Sequence, residues 1–342
     1  MNKKIATVSL EDVQSASEKI KPWVHRTPVM TSQALNRTAG AELFLKCENF
    51  QKVGAFKFRG ACNAVFRLSD AEAANGVVTH SSGNHAQALA LAARLRGIPA
   101  HIVMPTSAPT VKRSAVAGYG AHIVDCEPTL KARETTSDQV RMATGATFIH
   151  PYDHPHVIAG QGTAALELLE EVPDIDTLIA PIGGGGLISG TSIAASGSQS
   201  KIQIWGAEPA GADDAARSKA AHRLIPQTNP QTIADGLLTS LGDLTWPFVR
   251  DHVSQVITVQ EGEIVAAMKL VWERAKIIIE PSSATAVAVA MKTKLHKNAK
   301  VGVILSGGNV DLTKLPWQCG DCPAGLDQDC LAENESDREM KR

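Results

Sequence analysis

The sequence predicts an α/β fold in which mostly parallel sheets are covered by helices. Two observations carry this. Short apolar runs of strand length recur through the 342 residues, and amphipathic or Ala-rich stretches of helical length separate them. Strands joined through helices form βαβ units, whose sheets are parallel and buried on both faces.

In chain order, the first strand-like run is 43–46, followed by a helix-like stretch over 58–67. Strand 77–79 leads into an Ala- and Leu-rich helix, 84–96; strand 100–104 into helix 110–117; strand 122–124 into helix 130–144. The segment from His150 to Pro155, rich in Pro, Asp and His, breaks this rhythm and reads as a connector between two lobes. Beyond it lie helix 160–171, strand 177–181, helix 188–195, strand 202–207, helices 262–275 and 283–293, and strand 301–305. The expected organisation is a large domain built from 1–76 and 151–318, a small mobile domain over 77–150, and a polar tail, 319–342, that lacks the apolar pattern and is expected to be disordered.

Composition excludes several function classes. Hydrophobic residues make up 44% and charged residues 20%, and the net charge of −1 exerts no long-range pull on nucleic acid or anionic membrane. Aromatic content of 4% argues against a base-stacking surface. No apolar run is long enough to span a bilayer, and Glu11 and Asp12 arrive before any signal-peptide stretch could form, so a cytoplasmic location is expected. Cys47, Cys62 and Cys126 lie in apolar or mixed segments and read as core thiols. Cys319, Cys322 and Cys330 cluster in the tail without a second metal-spaced pair or a nearby His, and read as reduced thiols.

The strongest chemical signal is Gly183-Gly184-Gly185-Gly186, set between an apolar strand and a helix. Successive glycines let several N–H groups converge, and the helix start adds positive potential, which together make a phosphate cradle. A simple turn needs one or two glycines, not four. Lys57, in Gly54-Ala-Phe-Lys-Phe-Arg-Gly60, opens a helix among apolar neighbours, where burial lowers an ammonium pKa and frees the amine to attack a carbonyl. A nucleophilic lysine and a phosphate cradle together suit a phosphate-bearing aldehyde, pyridoxal 5'-phosphate (PLP). Ser81-Ser82-Gly83-Asn84-His85 places hydroxyls and an amide at a helix N-terminus, which suits a carboxylate. Ser306-Gly-Gly-Asn309 ends the last strand, at the sheet edge where open α/β sheets bind ligands.

These four motifs, in this order, resemble the fold-type II PLP enzymes, and more narrowly the serine racemase and serine/threonine dehydratase branch. The resemblance runs from about Ser9 to Leu315 and implies a two-lobed fold like that of the tryptophan synthase β chain. It implies that Lys57 holds the cofactor as a Schiff base and acts as base at the substrate α-carbon. Phe56 would lie against the pyridine ring, Asn84 would bond its 3'-oxygen, Gly183 to Gly186 would hold the phosphate, and Ser306 the ring nitrogen. The substrate carboxylate would bind Ser81, Ser82, Gly83, Asn84 and His85, with Arg133 also in reach. The resemblance also implies that Ser82 would exchange a proton on the face opposite Lys57, which keeps racemisation open, whereas elimination needs one base.

Glu208 and Asp214, read by spacing alone, belong to a solvated acidic turn; the resemblance instead makes Glu208, the Ala212 carbonyl and Asp214 ligands for Mg²⁺, Ca²⁺ or Mn²⁺. Tyr152 departs from animal serine racemases, which carry Asn there, and keeps 3-hydroxyaspartate open as a substrate. Lys52, Gln87, Lys112 and Tyr119 fall where racemase-like relatives bind a nucleotide effector between subunits. The expected activity is therefore β-elimination of a small hydroxy amino acid such as serine or threonine to a 2-oxo acid and ammonia, with serine racemisation alongside, in a homodimer. The alternatives are a 3-hydroxyaspartate ammonia-lyase giving oxaloacetate and a catalytically silent PLP-binding module. His85 is read as a buttress of its loop and His101 as a strand residue, not as acid–base groups.

Overall fold

Val77, Ala100, His122 and Thr147 open four strands that pair side by side, all parallel, in the order β5-β4-β3-β6. These are β3 (Val77–His80), β4 (Ala100–Pro105), β5 (His122–Cys126) and β6 (Thr147–Phe148). A second, six-stranded sheet has the order β1-β2-β10-β7-β8-β9. Its members are β1 (Val29–Met30), β2 (Glu42–Cys47), β7 (Thr177–Pro181), β8 (Gln203–Pro209), β9 (Gln255–Val259) and β10 (Lys300–Leu305). Only the edge pair β1–β2 is antiparallel; every other pairing in this sheet is parallel. The computed structural model describes residues 8–108, 110–198, 201–296 and 298–318. Cys319, Cys322, Cys330 and the tail expected to be disordered lie outside these residues.

The chain divides into two units, Met1–Val310 and Asp311–Arg342. In the first, one apolar cluster around Ile158, Leu168, Leu178, Ile188 and Ile304 packs at the six-stranded sheet. Another, around Phe58, Leu89, Ile102, Met104 and Ile149, serves the four-stranded sheet. Burying each such side chain contributes about 1.5–3 kcal/mol. Cys47, Cys62 and Cys126 are free and buried, as expected of core thiols. In the second unit, the Asp311 carboxylate accepts from the Thr313 N–H at 2.9 Å and closes a local turn.

The helices match the expected periodicity most closely at Asn84–Arg96 and Leu130–Thr144, each ended by a left-handed glycine, Gly97 and Gly145. Three strands escaped the sequence reading. β1 and β6 have two residues each, too few for a period. The third, β9, carries three β-branched apolar residues, Val256, Ile257 and Val259, a strand signal that the sequence reading passed over. The stretch expected as one helix over 262–275 is an α-helix, Glu261–Leu270, followed by a π-helical turn, Val271–Ala275.

A buried ionic cluster ties the Lys57–Arg67 helix to the six-stranded sheet. Arg59 is fully buried and donates to Glu48 at 2.7 and 2.8 Å and to Glu167 at 2.7 and 2.8 Å. Lys46, also fully buried, donates to Glu167 at 2.6 Å and to the Thr27 carbonyl at 2.7 Å. Two cations thus meet two carboxylates with no exposed charge. The Arg59 contacts connect the Lys57–Arg67 helix, the turn after β2 and the Pro155–Glu171 helix, which fixes the start of the first helix and with it Lys57.

Candidate active site

Strand β7 runs into the four glycines, and the last of them begins the fully buried Gly186–Ala195 helix. The protein walls this loop on one side. A Cβ added to Gly183 would stand 2.9 Å from the Gly236 carbonyl oxygen, and one on Gly185 2.7 Å from Thr245 Oγ1. At Gly184 it would stand 2.2 Å from the Tyr152 ring, and at Gly186 3.1 Å from Tyr152 Cβ. Gly185 also needs the left-handed region, with φ +87°. Thr245 pins the loop by donating to the Gly184 carbonyl at 2.8 Å. The loop is therefore a fixed surface ending in the free N–H groups of a helix start, the arrangement that binds phosphate.

Lys57 starts its helix directly after a backbone junction with the end of β10. Ala55 bridges Gly307, and the Phe56 N–H donates to the Ser306 carbonyl at 3.0 Å. The chain thereby brings Phe56, Lys57 and buried Ser306 together. The residue is half-buried, but its amine lies among packed groups, 3.0 Å from the Pro151 carbonyl, 5.3 Å from the Phe56 ring centre and 6.0 Å from that of Tyr152. Burial lowers its pKa to about 8, opposed by the charge of Glu280. A substantial fraction of neutral amine near pH 8 is what a lysine nucleophile requires.

Ser81, Ser82, Gly83 and Asn84 are half-buried at the C-terminal end of β3, leading into the Asn84–Arg96 helix. Ser81 Oγ accepts from the Gly83 N–H at 3.3 Å. His85 is buried, and desolvation, aided by nearby Lys57 and His150, holds its pKa well below the ordinary imidazole range. Its ring lies at the start of the Asn84–Arg96 helix, packed among buried groups. His101 lies within β4, stacked on His122 at 5.4 Å. Arg133 sits in the first turn of the Leu130–Thr144 helix with its Nε buried and, among the described residues, without a hydrogen-bond partner. His150 is pushed down to about 3, chiefly by burial, and its Nδ1 accepts from the Asp153 N–H at 2.9 Å.

Sequence reasoning missed Glu280. Its carboxylate is buried and accepts from Asn84 Nδ2 at 2.9 and 3.2 Å and from the Asn309 N–H at 3.1 Å. Burial raises its pKa to about 7, reinforced by Asp235. The signal was present in Ile277-Ile278-Ile279-Glu280-Pro281, where an acid ends an apolar run and precedes a helix-opening proline.

Residues 20–307 match the family described as pyridoxal-phosphate dependent enzymes. The chain belongs to this family. It is 54% identical over 308 residues to the beta-hydroxyaspartate dehydratase of Paracoccus denitrificans, covering 90% of this chain and 98% of that protein. It is 50% identical over 316 residues to the serine racemase of Dictyostelium discoideum, covering 91% and 98%. Among solved structures, maize serine racemase superposes with a TM-score of 0.88 at 51% identity, covering 92% of this chain and 97% of that one. The fold expected from the sequence is thus the fold observed, a PLP enzyme of fold-type II.

The residues of this pyridoxal-phosphate enzyme fit the cofactor. The four glycines lead into a helix N-terminus that suits a phosphate, the depressed amine of Lys57 suits an aldehyde, and Ser306 offers a neutral hydroxyl at the end of β10. A divalent cation is a separate matter. Among the described residues no three His, Cys, Asp or Glu side chains form a group able to hold a metal. Glu208 and Asp214 are both buried, and Ala212 lies between them. The Glu208 carboxylate accepts from the Ala215 N–H at 3.0 Å and the Ala216 N–H at 2.8 Å, and Asp214 Oδ2 from the Leu241 N–H at 2.9 Å. Asp214 Oδ1 has no partner among the described residues. Burial raises both acids, Glu208 well above the usual range and Asp214 to about 6. Two buried acids and an orphaned oxygen suit a hard cation completed by a carbonyl and waters.

The four residues singled out for an effector are spread over several elements. Lys52 Nζ lies 5.8 Å over the Phe58 ring, Gln87 is buried, Lys112 is ion-paired with Asp235, and Tyr119 follows the Thr110–Gly118 helix. No helix of the described residues is long and apolar enough to cross a membrane.

Proposed function

We propose that the enzyme removes water from a small β-hydroxy amino acid and releases a 2-oxo acid and ammonia, with racemisation of serine as a side activity. The observation that carries this reading is the Lys57 amine, its pKa lowered to about 8 by burial, 3.0 Å from Pro151 O beside the Tyr152 ring that walls the glycine cradle. Lys57, Phe56, Asn84, Gly183 to Gly186 and Ser306 would hold PLP, which when bound supplies the sink for electrons released at the substrate α-carbon. Ser81 to His85 would bind the substrate carboxylate through the free N–H groups of the Asn84–Arg96 helix. Lys57 would take the α-proton, and Ser82 would exchange a proton on the other face when the product is the enantiomer. Loss of hydroxide as water leaves an enamine that hydrolyses to the 2-oxo acid and ammonia.

A second substrate, 3-hydroxyaspartate, is favoured by Arg133, whose buried Nε, without a partner among the described residues, offers a charged donor to a further carboxylate. The relative of Paracoccus denitrificans named for that reaction supports it. The deciding experiment is a panel of serine, threonine and 3-hydroxyaspartate, read for 2-oxo acid and for enantiomer, with and without Mg²⁺. Pyruvate or 2-oxobutyrate as main product supports the first reading and oxaloacetate the second; turnover of none of the three sinks both.

The same reading carries further expectations. Glu208, the Ala212 carbonyl and Asp214 would bind Mg²⁺ or a similar cation. Residues 77–150, which contain the whole four-stranded sheet, would form a small domain that closes over substrate. A cytoplasmic homodimer with a nucleotide effector near Lys52, Gln87, Lys112 and Tyr119 completes it.

A further inference from the structure

The Asn84 side chain is an amide, and which end faces a ligand depends on what grips it. Asn309 Nδ2 donates to the Val53 carbonyl at 2.7 Å and to Asn84 Oδ1 at 2.9 Å, so both its hydrogens are committed to acceptors. Asn84 must then present its oxygen to Asn309 and its NH₂ elsewhere. Glu280 receives one side of that NH₂ on its two oxygens and also accepts from the Asn309 backbone. The remaining Asn84 N–H is the single donor left over. Glycines clear the space: a Cβ on Gly307 would stand 2.6 Å from Glu280 Oε1, and one on Gly54 2.6 Å from Asn309 Oδ1. The charged groups around Glu280 are Lys57, Lys112 and Asp235.

We infer that Glu280 and Asn309 are positioning residues, which lock the Asn84 amide so that it offers one N–H, and no acceptor, to the cofactor's ring oxygen. This rests on the proposed contact between Asn84 and PLP. Removing Glu280 frees the amide to rotate, and replacing it with glutamine sets a second NH₂ among donors while keeping its shape.

The test uses PLP titrated into the resolved enzyme, with the dissociation constant and the visible spectrum of the bound cofactor across pH as readouts. Glu280→Ala, Glu280→Gln, Asn309→Ala and Asn84→Ala are compared with the Glu280→Ala/Asn84→Ala double variant, and circular dichroism verifies folding of each. The inference expects each single variant to weaken PLP by about tenfold, the effect of losing one hydrogen bond worth about 1–1.5 kcal/mol. The double variant should be no weaker than Asn84→Ala, because Glu280 acts through Asn84. A multiplicative loss in the double variant, or a Glu280→Gln protein with wild-type affinity and spectrum, overturns it. A wild-type protein showing no Lys57-dependent visible band would instead defeat the cofactor reading and this inference with it.

Discussion

The Tyr152 ring occupies the space that a side chain at position 184 would need: a methyl group on Gly184 would lie 2.2 Å from Tyr152 Cγ. The glycine is thus demanded from the protein side, independently of any phosphate on the other. Gly184→Ala should displace the ring or the loop at a cost of about 1–3 kcal/mol and weaken PLP by roughly ten- to a hundredfold. Tyr152→Ala in the same chain should recover much of the loss. A calorimetric PLP titration of the single and double variants measures both effects.

Lys57 gives a pH dependence with a definite sign. Its folded pKa of about 8 lies below the ordinary 10.5, so the folded cofactor-free protein holds fewer protons than the unfolded chain between these values. The cost of the buried ammonium is fully present below about pH 8 and is relieved as pH rises toward 10.5. Lys57→Met should therefore gain stability at pH 7 relative to wild type and lose that advantage by pH 10. Urea melts at the two pH values test this; the visible band of bound cofactor should be absent in the variant at both.

The buried cluster of Arg59, Lys46, Glu48 and Glu167 is neutral only as a whole. Removing Glu167 as Gln leaves two buried cations facing one carboxylate, a change that costs about 3–5 kcal/mol. Thermal unfolding should show a large drop. Arg26→Met, which breaks the exposed pair with Glu170 (2.8 Å), should change stability by about 1 kcal/mol or less.

Magnesium should raise the melting temperature if Glu208 and Asp214 bind it, because a ligand that binds only the folded state stabilises it by mass action. Asp214→Asn should abolish the rise while leaving the Ala215 and Ala216 N–H bonds to Glu208 in place. An equal magnesium shift in the variant would place the ion elsewhere.

Much of this was legible in the amino-acid order. The tetraglycine, Lys57 and the Ser81–His85 stretch are local signals, each a few residues long, and the strands they follow have ordinary apolar patterns. What escaped is non-local. Glu280 lies 196 positions from Asn84, and Glu167 lies 108 from Arg59, so no local spacing marks either as a partner. Buried acids in an amphipathic helix, as at Glu167, read as surface until the facing cation is located. Tyr152 stands out in the connector by its residue type alone, but its contact with Gly184 depends on how two distant loops fold together.

The relay through Asn84 also crosses between the sheets. Asn84 follows β3 of the four-stranded sheet, whereas Glu280 and Asn309 flank β10 of the six-stranded one. Lys112, on the helix between β4 and β5, is ion-paired with Asp235, which lies between β8 and β9 of the six-stranded sheet. Any motion that parts the two sheets must pull the amide from its grips. A gripped Asn84 amide and closely set sheets are then one state, and parting the sheets would release the Asn84 donor proposed for the cofactor's ring oxygen.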